Sequence, residues 1–63
     1  MMNKQQILKY GLMVFNNEAD KFNNWLEKKN DYLRLPPKEL IETEEGLKEV
    51  KEELDRIEYG LFS

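Results

Sequence analysis

The chain is expected to be all-α: a small compact bundle of three helices plus one short helical turn, at about 4–15, 18–28, 37–41 and 44–59. Two observations carry this. Leu47, Val50, Leu54, Ile57 and Leu61 recur at alternating steps of three and four, which places them on one stripe of a helix, while Lys48, Glu49, Lys51, Glu52, Glu53 and Asp55 cover the rest. The stretches before it carry apolar helical faces of their own, separated by Asn16-Asn17, by Lys28-Lys29-Asn30-Asp31 and by Pro36-Pro37.

The first helix, from Lys4 to Phe15, presents Ile7, Leu8, Leu12, Met13, Val14 and Phe15 as a broad apolar face, with Gly11 its one weak helix former. Asn16-Asn17 breaks the run. Asn17 followed by Glu18, Ala19 and Asp20 reads as the start of the second helix, with a side-chain cap and acids in the first turn. On that helix Ala19, Phe22 and Leu26 share a face with Trp25 beside them, and Phe15 leans on it as a hydrophobic staple. Trp25 is read as core, since aromatic side chains dominate small cores.

Pro36 forces an extended residue before it, and Pro37 suits the first position of a short helix ending in Leu40-Ile41. The last helix follows at once. Thr43 caps it, Glu44 and Glu45 complement its dipole, and Gly60 is expected to close it in the left-handed conformation. Gly46, in its first turn, is read as a point of close helix approach. The expected core is Phe15, Phe22, Trp25, Leu26, Leu40, Leu47, Val50, Leu54 and Ile57. Leu61-Phe62-Ser63 then ends the chain on apolar residues, which either fold back over the stripe or meet a partner.

Composition bounds function. The chain has 63 residues, enough for one small domain of marginal stability. It has no Cys and no His, which removes disulfides, thiolate sites, the commonest general base and the commonest metal ligand, so neither an enzyme nor a metal or cofactor site is expected. Glu39, Glu42, Glu44, Glu45, Glu49, Glu52 and Glu53 read as solvated charge, with Glu52 and Arg56 at the four-residue spacing of a surface pair. A net charge of -3, with no basic stripe, argues against direct nucleic-acid binding. The N-terminal run is too polar for a signal peptide or membrane span, so the expected location is the cytoplasm.

Trp25-Leu26, Asn30, Leu33, Pro37-Lys38-Glu39-Leu40-Ile41, Thr43-Glu44-Glu45-Gly46, Val50, Leu54, Arg56-Ile57 and Gly60, in that order, resemble the toxin-binding domain of the Xre/MbcA/ParS-type bacterial antitoxins. The resemblance runs from about Val14 to Ser63. In three respects the chain departs from the family. Arg34-Leu35-Pro36 stands where a glycine pair is usual, Lys29 stands where a proline is usual, and only about a dozen residues precede the match, where family members commonly carry a helix-turn-helix domain. The expectation is a single toxin-binding domain over 1–63 without that domain.

The resemblance implies an antitoxin that neutralises a RES-domain toxin, an enzyme class that consumes NAD or transfers from it. It implies occlusion of the toxin's cleft by the end of the last helix and the tail, here Arg56, Tyr59, Gly60, Leu61, Phe62 and Ser63. The residue types agree with that location, since aromatic side chains and arginine supply binding energy when desolvated at an interface. The alternative is a helical module that self-associates through the 47-50-54-57-61 stripe and needs no toxin.

Overall fold

The computed structural model describes residues 2–60. Every regular element among them is helical: α1 (Lys4–Val14), α2 (Ala19–Glu27), α3 (Pro37–Leu40) and α4 (Glu44–Asp55), the last continuing as a π-helical turn, Arg56–Gly60.

Helix α1 begins at a capping box. The Asn3 side chain accepts from the Gln6 amide at 2.8 Å, and the Asn3 amide donates to the Gln6 side chain at 2.9 Å, which satisfies two donors at the helix start. The helix ends in a Schellman arrangement, in which Asn17 N–H donates to Leu12 C=O at 2.8 Å and Asn16 N–H to Met13 C=O at 2.9 Å. Both asparagines are left-handed, with φ of 58° and 62°. This corrects the expected role of Asn17. It closes α1 rather than capping α2, because asparagine tolerates the left-handed region better than any other residue with a side chain except aspartate. The residue before α2 is Glu18, whose side chain makes no capping hydrogen bond.

Phe22 and Leu26 of α2 are buried as expected, whereas Ala19 is exposed. Phe15 does act as the staple: its ring centroid lies 5.5 Å from that of Phe22 and 5.7 Å from that of Trp25. The α1–α2 crossing depends on Gly11, since a methyl there would stand 2.3 Å from the Phe22 ring.

After α2 the chain turns on Asn30, whose side-chain oxygen accepts from the amides of Tyr32 and Leu33 at 2.8 and 3.1 Å. Pro37 then opens α3 at a position that needs no N–H. At α4, the Thr43 hydroxyl accepts from Gly46 N–H at 3.0 Å, the expected cap.

Ile7, Ile41, Val50 and Leu54 form the buried centre, drawn from α1, the end of α3 and α4, with Phe15, Trp25, Leu40 and Leu47 packed around it. Val50 and Leu54 bear out the stripe, and Ile57 is half-buried. Ile7 and Ile41 belong to the core although the expected set omits them. The expected end of α4 is also corrected. No described glycine has a positive φ, so Gly60 is not a left-handed cap; beyond Asp55 the helix widens into a π turn, beginning with helical dihedrals at Arg56.

Candidate binding surface

Two buried or half-buried carboxylates organise the end of α4. Asp55 is flanked by a cation on one side and a hydroxyl donor on the other. Lys51 Nζ lies 2.7 Å from its Oδ2, one helical turn back, and the Tyr10 hydroxyl of α1 donates to its Oδ1. The Lys51 hydrogen bond, followed by that from Tyr10, holds the Asp55 carboxyl below the usual carboxylate range. Burial, and then the hydrogen bond to Asp55, push the Tyr10 phenol well above its usual value. The pair ties α1 to the last turn of α4.

The second carboxylate is Glu53. It is 7% exposed, the one buried charged residue among those described. Arg56 satisfies it through two contacts, Nε to Oε1 at 3.0 Å and a terminal nitrogen to Oε2 at 3.4 Å. The expected Glu52–Arg56 pair is therefore replaced by Glu53–Arg56. A buried carboxylate needs a planar, two-point donor more than an exposed one does, since it has lost its water. Hydrogen bonding to Glu53, in turn, favours the charged form of the guanidinium.

The other side of that guanidinium meets the loop. Its central carbon stands 3.5 Å from the centroid of the Tyr32 ring, a cation–π contact that links the α2–α3 loop to the π turn. Tyr32 is 68% exposed and Tyr59 71%. Arg56 lies between them, lining both the groove that holds Tyr32, Leu33 and Glu49 and a wider one, of about 660 Å³, that holds Tyr59, Gly60 and Tyr10.

Of the six residues expected at the partner surface, Arg56, Tyr59 and Gly60 line this wider groove together. Leu61, Phe62 and Ser63 lie outside the described residues. Tyr10, Tyr32 and Glu53 were not expected here. The expected reading of Glu53 as solvated charge is corrected: three residues after Val50 and four before Ile57, it stands at the edge of the buried stripe and is covered there. Tyr32 and Tyr10 depend on contacts across the fold, 24 and 45 residues away, for which no local pattern exists.

Among the described residues no acidic cluster is arranged to hold a metal ion, and no helix is long and apolar enough to cross a membrane. What the arrangement offers is contact area: two exposed tyrosine rings and a fixed guanidinium, residue types that anchor protein interfaces. The family model for the antitoxin Xre/MbcA/ParS C-terminal toxin-binding domain matches residues 11–60. No curated protein and no solved structure gives a significant match. The matched span starts at the Gly11 crossing point and ends with the π turn.

Proposed function

Because the chain belongs to the family of antitoxin Xre/MbcA/ParS C-terminal toxin-binding domains, we propose that it neutralises a bacterial toxin of the RES-domain class by covering the toxin's active-site cleft. The covering element in this reading is the end of α4, the π turn and the tail: Arg56, Tyr59, Gly60, Leu61, Phe62 and Ser63. Its action is stoichiometric. An inhibitor of this kind needs no chemistry of its own, only enough affinity to hold the cleft closed against NAD. The enzyme is the toxin, and the place of action is the cytoplasm, where NAD is consumed.

The observation that carries this reading is the exposure of Tyr59, at 71%, beside an arginine that the fold already holds in place. A tyrosine ring beside an arginine is the pairing of residue types that anchors protein interfaces, and a preformed guanidinium loses little freedom on binding.

The test is to co-express the chain, and a version lacking Leu61 to Ser63, with a RES-domain toxin encoded beside it, and to measure cellular NAD and complex formation. The full chain is expected to preserve NAD and to co-elute with the toxin. The shortened chain is expected to lose protection while keeping its helicity, since terminal residues make few interior contacts. Full protection by the shortened chain would remove the tail from the mechanism. Failure of the full chain to bind would overturn the RES-toxin assignment.

A further inference from the structure

Tyr32 is not part of the surface just proposed, yet the fold treats it as if it were. The loop that carries it is irregular between Lys28 and Pro36, and its ring stands mostly in water. One face of that ring is nevertheless covered by the Arg56 guanidinium at 3.5 Å. Arg56 cannot wander, because its Nε and a terminal nitrogen are both bound to Glu53. Glu53 cannot wander either, because it is buried in the wall of α4. Position is thus transmitted outward from a buried carboxylate, through a planar cation, to an exposed aromatic ring.

Such a chain has little value for stability. A solvent-exposed ring contact of this kind contributes on the order of 0.5–1 kcal/mol, and the carboxylate would lose less by being placed in water. What it does supply is a fixed ring, whose remaining surface is free to be covered without a further ordering cost. The ring is also in the right place, since the guanidinium that fixes it lines the Tyr59 groove as well.

We propose that the partner surface extends onto the α2–α3 loop, with Tyr32 a contact residue on the toxin and Glu53 a positioning residue that sets Tyr32 through Arg56. This rests on the antitoxin reading above and adds to it a second anchor and the device that places it. The partner's matching feature is an apolar or aromatic patch flanking its cleft, suited to the open face of a tyrosine ring, and not a basic patch seeking the acids of α4.

The test is a double-mutant cycle on affinity for a catalytically inactivated RES-domain toxin encoded beside the chain. Tyr32→Ala is expected to weaken binding about tenfold and Tyr32→Phe about twofold or less, because the ring face is what binds. Glu53→Gln is expected to weaken binding by a similar factor and to abolish the upfield ring-current shift of the Arg56 Nε proton. Tyr32→Ala with Glu53→Gln should then cost little more than either alone, because both act on one ring. If Glu53→Gln does not fold, Glu53→Asp takes its place in the cycle, keeping the charge while drawing the carboxylate back from the guanidinium that it positions. Wild-type affinity in Tyr32→Ala, or losses that simply add, would overturn the proposal. Failure of the unaltered chain to bind is a separate result, seen before any variant is compared, and would overturn the antitoxin reading and this extension together.

Discussion

The α-carbon of Gly46 is packed so tightly against the end of α3 that an added methyl would stand 1.7 Å from the Leu40 carbonyl oxygen and 2.5 Å from its carbonyl carbon. Backbone, not a side-chain tip, occupies the space. The sharp turn from α3 into α4 exists because nothing projects from Gly46, and the Thr43 cap on its amide fixes the turn's geometry.

Gly46→Ala is therefore expected to be severely destabilising, by about 3 kcal/mol or more, although alanine is the better helix former. In a chain of this size that is most of the available stability. Gly11→Ala also meets a neighbour, at 2.3 Å, but that neighbour is the tip of the Phe22 ring. A ring can tilt where a backbone cannot, so the expected loss is smaller, about 1–2 kcal/mol. Urea midpoints measure both. An order reversed, with Gly11→Ala the worse, would show that the ring, held between Phe15 and Trp25, yields less than the α3–α4 turn.

Stability should fall at both ends of the pH scale through two neighbouring groups, Asp55 and Tyr10. The lowered Asp55 carboxyl stays charged in the fold at a pH where the unfolded chain binds a proton, so its stabilisation is present at neutral pH and is lost as pH drops below about 4. The Tyr10 phenol is raised, so the fold retains a proton that the unfolded chain releases; that stabilisation is present below about pH 10 and is lost as pH rises beyond it. Tyr10→Phe is expected to flatten the alkaline loss and reduce the acid one. Lys51→Met should reduce the acid loss more, because the Lys51 hydrogen bond is the largest cause of the Asp55 shift. Melting temperatures at pH 3, 7 and 10.5 decide it.

The helices were legible because each carries its own period, and the caps at Thr43 and Pro37 are local signals that the structure keeps. The core was half legible. Val50, Leu54, Phe22 and Leu26 follow from periodicity, but Ile7 and Ile41 are buried because of where α1 and the end of α3 lie against α4, which is a property of the crossing. Asn17 is ambiguous for a reason that lies in the residue type: asparagine is a preferred cap at a helix start and also serves at a helix end, and only the hydrogen bond back to Leu12 separates the two. At Gly60 the propensity for a left-handed cap was real, yet the π turn carries the chain on without one. Of the site, Arg56 and Tyr59 stood out by type, whereas the Glu53–Arg56–Tyr32 relay needs the loop to be folded over the helix before it exists.

The loop itself carries a position where the chain runs against its residue. Arg34 has a φ of 68°, in the left-handed region, and its amide donates to Asn30 C=O at 2.6 Å. An ordinary side chain loses about 1–2 kcal/mol there, against about 0.4–1 kcal/mol of unfolded-state entropy that glycine gives up. Arg34→Gly is thus expected to stabilise by about 0.5 kcal/mol, a rise of roughly 2–4 °C in melting temperature. Asn16→Gly, at a φ of 58°, should change little, because asparagine already tolerates that geometry. A fall in melting temperature for Arg34→Gly would mean that the arginine side chain has a role in the loop beyond its backbone.

Two large apolar side chains of comparable exposure separate a binding surface from incidental exposure. Tyr59 is 71% exposed on the π turn, and Met13 is 52% exposed near the end of α1. Neither contributes much to the core, so Tyr59→Ala and Met13→Ala should each shift the melting temperature by no more than about 2–4 °C, the effect of a surface change within about 0.5 kcal/mol. Their effects on the toxin should differ. Tyr59 shares its groove with Arg56 and stands where the cleft is proposed to be covered, so removing its ring is expected to cost about 2 kcal/mol of binding, roughly thirtyfold in Kd. Met13 lies on the α1–α2 hairpin, outside that surface, and its removal should leave Kd unchanged. Titration calorimetry against an inactivated RES-domain toxin gives both numbers in one series. A large loss for Met13→Ala with none for Tyr59→Ala would move the interface from the end of α4 to the hairpin, and with it the element that closes the cleft.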